Sequence, residues 1–118
     1  MRKRIVVAED DPGITDVLQM ILEDSGYTVQ IMLSGTEVYQ ICPPLPGLLL
    51  LDIWLGDTDG REICTFLKSQ ATTHHMPVIL LSAQKGINAI AEEVGADNFL
   101  AKPFEMDALL ALVEQYMN

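Results

Sequence analysis

Short apolar runs alternate along the chain with longer stretches in which apolar residues recur every three or four positions. Arg4 to Ala8 is a β-branched run and predicts a strand. Pro12 suits a first helical turn, and Ile14, Val17, Leu18, Ile21 and Leu22 continue at helical spacing up to the stop signal Ser25-Gly26. Tyr27 to Met32 predicts a second strand. Ser34 predicts the cap of a short helix running through Cys42, which Pro43, Pro44 and Pro46 end because proline lacks an amide donor and restricts the residue before it. Leu48 to Leu51 is apolar throughout and stops at Asp52; four leucines also suit a helix, but Gly47 and Gly56 favour a short buried strand. A helix is predicted from Gly60 to about Ser69, with Ile63, Phe66 and Leu67 facing inward. Val78 to Leu81 predicts a strand entered through Pro77, and Ile87 to Val94 a helix ended by Gly95. Phe99 to Ala101 belongs to a further strand. Met106 to Met117 is a last amphipathic helix, with Leu109, Leu110, Val113 and Tyr116 or Met117 on its apolar face.

Five strands thus alternate with five helices. Strands that are apolar at every position belong to a parallel sheet covered on both faces. The expectation is one α/β domain over residues 1–118, doubly wound, with strand order 2-1-3-4-5.

Composition agrees with that reading and removes other classes. Among 118 residues 49% are hydrophobic and 20% charged, which suits a globular chain and not a disordered one. No apolar run approaches the ~20 residues that span a bilayer. Met1-Arg2-Lys3-Arg4 resembles the basic start of a signal peptide, but the apolar stretch behind it runs into Glu9-Asp10-Asp11 before an apolar core forms. A cytoplasmic location is expected. Seventeen acidic against seven basic residues give a net charge of −10, which disfavours nucleic acid and anionic lipid as direct partners. Cys42 and Cys64 lack metal-ligand spacing and read as free thiols.

The polar residues that end the strands carry the chemistry. The first strand ends in Glu9-Asp10-Asp11, the third in Asp52, the fourth in Ser82 and the fifth in Lys102. In an open parallel sheet all of these sit at the carboxyl edge, where ligands bind. Carboxylates gathered there repel one another and raise one another's pKa. A divalent cation and the Lys102 ammonium are the two remedies, and hard oxygen ligands suit Mg²⁺. A metal, a lysine and a hydroxyl around a remaining carboxylate suit a transferring phosphoryl group, with Asp52 as nucleophile forming an acyl phosphate.

Four blocks carry a family resemblance: Val7-Ala8-Glu9-Asp10-Asp11-Pro12; Leu50-Leu51-Asp52 followed by Gly56-Asp57-Thr58-Asp59-Gly60; Pro77-Val78-Ile79-Leu80-Leu81-Ser82-Ala83; and Gly95-Ala96-Asp97-Asn98-Phe99-Leu100-Ala101-Lys102-Pro103-Phe104. In this order, and over the whole chain, they resemble the receiver domain of two-component response regulators, a flavodoxin-like fold of the chemotaxis-regulator type. The resemblance implies that Asp52 accepts phosphate from a histidine kinase or a histidine phosphotransfer protein. It implies that Glu9, Asp10, Asp52 and the backbone carbonyl of Trp54 hold Mg²⁺. Ser82, the Ala83 backbone and Lys102 would bind phosphoryl oxygens, Phe99 would be the switch aromatic, and the Lys102–Pro103 bond would be cis. An output domain or a second copy would meet the face made by the fourth helix, fifth strand and fifth helix. The domain would be a signalling phosphoacceptor and not an enzyme, beyond its own phosphotransfer and dephosphorylation. The chain departs from the family pattern at Gly56, where proline is frequent; at Trp54, which is unusually large; at Phe99, which lacks a tyrosine's hydroxyl; and in a somewhat short stretch from Ser82 to Gly95. The indole of Trp54 either shields the acyl phosphate from water or points outward as a docking contact.

Each residue also has a plainer reading. Glu9-Asp10-Asp11 alone reads as an acidic helix cap, and Asp11 is expected to be one. Adjacent His74 and His75, with no third ligand, read as a loop. Asp57-Thr58-Asp59-Gly60 fails as a calcium loop because Leu55 and Phe66 stand where acids are required. Two rival functions differ at single positions. A phosphohydrolase using an aspartyl phosphate needs an aspartate at position 54, which is tryptophan. A pure protein-binding module of this fold would be marked by loss of Asp52, Lys102 or the acidic pair, all of which are present.

Overall fold

The computed structural model describes residues 3–56 and 58–117; Met1 and Arg2 of the basic start, Asp57 of the second block, and Asn118 lie outside them. The elements are β1 (Arg4–Ala8), α1 (Pro12–Asp24), β2 (Thr28–Met32), α2 (Gly35–Tyr39), β3 (Leu48–Asp52), β4 (Trp54–Leu55), β5 (Thr58–Asp59), α3 (Gly60–Ser69), β6 (Val78–Ser82), α4 (Ile87–Val94), β7 (Asn98–Ala101) and α5 (Met106–Met117). Five parallel strands form one sheet in the order β2-β1-β3-β6-β7, which is the expected 2-1-3-4-5 among the main strands. The sheet centre is fully enclosed: every residue of β3 and β6 is buried. Alternate residues feed two apolar layers. Val6, Leu49, Leu51 and Leu80 pack toward α2, α3 and α4. Ile5, Leu48, Leu50 and Ile79 pack toward α1 and α5. This two-sided burial is why the strands read as unbroken apolar runs.

Local chemistry sets the helix starts. The Asp11 carboxylate accepts from the Gly13 amide at 2.9 Å and caps α1, so the plain reading of that residue holds. Asp59 caps α3 in the same way, accepting from the Arg61 amide at 2.8 Å.

Several boundaries differ from expectation. The second strand starts at Thr28, not Tyr27. The helix capped by Ser34 stops at Tyr39, well short of Cys42. Phe66 was expected to face inward; it is 41% exposed and packs edge-on against Tyr39, with ring centroids 5.1 Å apart. α3 is narrow in its inward stripe, and Ile63, Cys64 and Leu67 fill it. An antiparallel pair, Trp54 with Asp59 and Leu55 with Thr58, stands outside the main sheet. Two-residue strands carry no periodicity for a sequence to show.

The amino edge of the sheet is stapled. Lys68 donates to the Met76 carbonyl at 2.8 Å and to the Asp97 carboxylate at 2.6 Å. The same carboxylate accepts from the Val78 amide at 2.8 Å, and the Asp97 carbonyl accepts from the Tyr116 hydroxyl at 2.9 Å. Lys3 donates to the Met117 carbonyl on the same side. Both cysteines are free, and burial pushes the Cys64 thiol up to about 11.

Candidate functional site

The opposite, carboxyl edge holds the predicted residues. β1 runs out at Ala8 and presents Glu9 and Asp10; β3 ends on Asp52; β6 ends on Ser82; β7 leads into Lys102. Parallel pairing in register brings these ends together. Carboxylate oxygens of Glu9, Asp10 and Asp52 lie within 4.8 Å of one another. Glu9 and Asp52 are buried, and Asp10 is exposed at the rim.

Each carboxylate has a defined set of neighbours. Glu9 accepts from its neighbours' amides, Asp10 N–H at 3.0 Å and Asp11 N–H at 3.3 Å, and from the Lys102 ammonium. The ammonium also stands 3.4 Å from Asp52 Oδ1. Asp10 Oδ2 accepts from the Gly56 amide at 2.9 Å, which ties the loop after β3 back to β1. Gly56 makes that turn at φ +64°, a conformation that glycine adopts without strain. Asp52 titrates high, at about 6. Burial is the main cause, followed by its hydrogen bond to Glu9 and that residue's charge; the Lys102 ammonium and the Trp54 backbone amide pull the other way.

Ser82 is buried, and its hydroxyl accepts from the Gln84 amide at 2.9 Å. Ala83 is exposed at the rim. The Lys102–Pro103 bond is cis. Phe99 is partly buried against the layer that includes Ile87 and Ala91 of α4. The Trp54 side chain is 53% exposed and lies beneath the Arg61 guanidinium, whose carbon is 5.4 Å from the ring centroid. The indole is thus half open to solvent and in contact with Arg61.

The N-terminus of α3 is packed onto the backbone of the site. A Cβ on Gly60 would stand 2.2 Å from the Asp52 carbonyl oxygen, and the Gly60 amide donates to the Ile53 carbonyl at 2.5 Å. Glycine is required by that approach. Arg61, the next residue, was not singled out by the sequence. It grips the Asp59 carboxylate with Nε at 3.0 and 3.1 Å and a terminal nitrogen at 2.7 Å. The only signal for it was the adjacent helix cap. Beside the site, Gly13, Ile14, Val17, Ala83, Lys102, Pro103 and Phe104 line an apolar groove of about 410 Å³.

A doubly wound parallel sheet with three carboxylates, a lysine and a buried serine at its carboxyl edge defines a class of phosphate-handling signalling domains. Residues 5–114 match the response regulator receiver domain family, and the chain belongs to it. It is 35% identical over 113 residues to the DNA-binding dual master transcriptional regulator RpaA of Synechocystis, covering 93% of this chain and 47% of that protein. Over 114 residues it is 34% identical to the response regulator MprA of Mycobacterium ulcerans, covering 94% of this chain and 48% of that protein. The chain spans about half the length of the curated relatives it matches. Among solved structures it resembles a protein from Chloroflexus aurantiacus described as a response regulator, at TM-score 0.90 and 32% identity, with 98% of both chains covered. The receiver domain of the sensor histidine kinase PA1611 from Pseudomonas aeruginosa, which has a magnesium ion coordinated in its active site cleft, shares the fold at TM-score 0.84 and 24% identity, with 98% of both chains covered. The chain is therefore a receiver domain, homologous to the phosphoacceptor domains of two-component systems. No helix of the described residues is long and apolar enough to cross a membrane.

Proposed function

We propose that Asp52 is the phosphoacceptor, receiving the phosphoryl group from a phosphohistidine on a kinase or phosphotransfer protein. The observation that carries this reading is the placement of Asp52 at the centre of the site, within 4.8 Å of two further carboxylates and 3.4 Å from the Lys102 ammonium. An Asp52 oxygen attacks phosphorus, an O–P bond forms, the P–N bond breaks, and its electron pair returns to the imidazole. Lys102, the Ser82 hydroxyl and the Ala83 amide receive the phosphoryl oxygens as charge shifts onto them.

The donor set fits a divalent cation. Three carboxylates with only one ammonium among them leave excess negative charge, and all the donors are hard oxygens. Glu9, Asp10, Asp52 and the Trp54 carbonyl would hold Mg²⁺, which supplies charge neutralisation between carboxylate and phosphate. Phe99 is assigned as the aromatic that responds to phosphorylation. The face of α4, β7 and α5 meets an output domain or a second copy. Catalysis is limited to the domain's own phosphotransfer and dephosphorylation, in a cytoplasmic setting.

Incubation with acetyl phosphate and Mg²⁺ tests the assignment. The expected result is a mass gain of one phosphoryl group, absent in Asp52→Ala. No mass gain in the wild type, with the fold intact, would leave a protein-binding module without phosphorylation as the better reading.

A further inference from the structure

The β4–β5 pair is held together by a device outside the set of phosphate-handling residues. Trp54 and Asp59 face one another across the β4–β5 pair. Arg61, two residues on, binds the Asp59 carboxylate through two of its nitrogens. The carbon of the same guanidinium lies over the Trp54 ring, 5.4 Å from its centroid. One side chain thus joins both strands of the hairpin from the outside. On the inside, the α3 N-terminus is jammed against the Asp52 and Ile53 backbone at Gly60, and the hairpin tip is bonded to Asp10 through the Gly56 amide. The hairpin is thus tied at Gly56, at Gly60 and across its two strands, and it begins two residues after Asp52.

We propose that Arg61 is a positioning residue for the Asp52 site, acting through Asp59 and Trp54 to fix the hairpin whose first residue presents its backbone to the site. The guanidinium fork is needed because it meets two demands at once: paired hydrogen bonds to a carboxylate in its plane and an aromatic ring beneath it. A lysine ammonium meets neither geometry. The Trp54 amide is directed toward the Asp52 carboxyl, so a hairpin that opens withdraws a donor from the group that reacts. This role rests on the phosphoacceptor reading for its effect on chemistry, but the clamp itself does not.

The experiment measures amide hydrogen exchange at residue 54 beside the rate of Asp52 phosphorylation by acetyl phosphate at saturating Mg²⁺. Arg61→Ala should speed exchange at residue 54 by about fivefold or more while the amides of β1 and β6 keep their wild-type protection. It should slow phosphorylation by a similar factor of about five. Arg61→Lys should recover neither, which separates the clamp from simple charge. Gln115→Ala, exposed on α5, should change neither readout. Wild-type exchange at residue 54 in Arg61→Ala, or full recovery in Arg61→Lys, would overturn the proposal. Faster exchange in Arg61→Ala together with a wild type that takes no phosphoryl group would uphold the clamp and fail the phosphoacceptor reading instead.

Discussion

The Lys102 ammonium is hydrogen-bonded to Glu9 and stands 3.4 Å from Asp52, so one cation serves two buried carboxylates. Glu9 is also a proposed cation ligand. The ammonium and a metal therefore compete for the same oxygen, and a bound metal frees the lysine to turn to Asp52 and its phosphoryl group. Removing the ammonium should help the metal and harm the chemistry. Lys102→Gln is expected to bind Mg²⁺ about tenfold more tightly, a modest share of the Coulomb energy between close charges in a partly buried site. Its phosphorylation by acetyl phosphate should fall. Calorimetric titration with Mg²⁺ checks the first half, and weaker binding in the variant would contradict it.

The high pKa of Asp52 has a stability consequence with a definite sign. The folded value is about 6, against an ordinary aspartate value of 3.8 in the unfolded chain. The native state holds the proton more tightly than the unfolded state. This group therefore favours folding most below about pH 4, loses that advantage as pH rises toward 6, and is constant above it. The difference is on the order of 3 kcal/mol at most. Without Mg²⁺, Asp52→Asn should be more stable than wild type at pH 7, and the gap should shrink by pH 4. Urea unfolding at the two pH values measures it. Mg²⁺ affinity should also drop below pH 6, where protons compete for Asp52.

Asp10 joins the acidic cluster to the loop after β3 through the Gly56 amide. Asp10→Ala removes a cation ligand and that tie together. Both Mg²⁺ binding and phosphorylation should be lost, while the circular dichroism spectrum stays that of the wild type. Phosphorylation persisting in this variant or in EDTA would remove the metal from the reading.

Gly60 tolerates no side chain. The added methyl would fall 2.2 Å from the Asp52 carbonyl oxygen and 2.9 Å from the Ile53 Cα, both backbone atoms that cannot turn aside. Gly60→Ala should destabilise by about 2–3 kcal/mol through forced displacement. It should also slow phosphorylation, since the atoms displaced carry Asp52. Thermal unfolding and the acetyl phosphate reaction give the two numbers.

The sheet and the site were legible in the sequence for one physical reason. Strands buried on both faces must be apolar throughout, so the first polar residue after each run marks the carboxyl edge. Leu48–Leu51 followed by Asp52 is the plainest case. The rest was less legible because it depends on contacts between distant residues. The β4–β5 pair is too short for any period. Arg61 looks like an ordinary exposed helix residue until Trp54 is seen beneath it. Phe66 matches the helical spacing of Ile63 and Leu67, but α2 ends early and leaves it half open beside Tyr39. Asp97 lies in the Gly95–Phe104 block, where the sequence pattern gives it no partner.

That residue now has one. Asp97 accepts from Lys68 and from the Val78 amide through its carboxylate, and from Tyr116 through its carbonyl. Asp97→Ala leaves the partly buried Lys68 ammonium without its counter-charge. A loss of about 1–2 kcal/mol is expected, from one solvent-screened ion pair and the hydrogen bond to the Val78 amide. The acetyl phosphate reaction at Asp52 should be unaffected at temperatures where the variant stays folded.

The stapled amino edge also gives the domain a mechanical polarity. Lys68, Asp97, Tyr116 and the Lys3–Met117 tie brace that end of the sheet like a fixed base. At the other end the links are Gly56 to Asp10 and Lys102 to Glu9, bonds to charged groups whose strength depends on what ligand is present. The links nearest Asp52 are therefore the ones a change of ligand can rearrange, while the bonds of the base stay as they are.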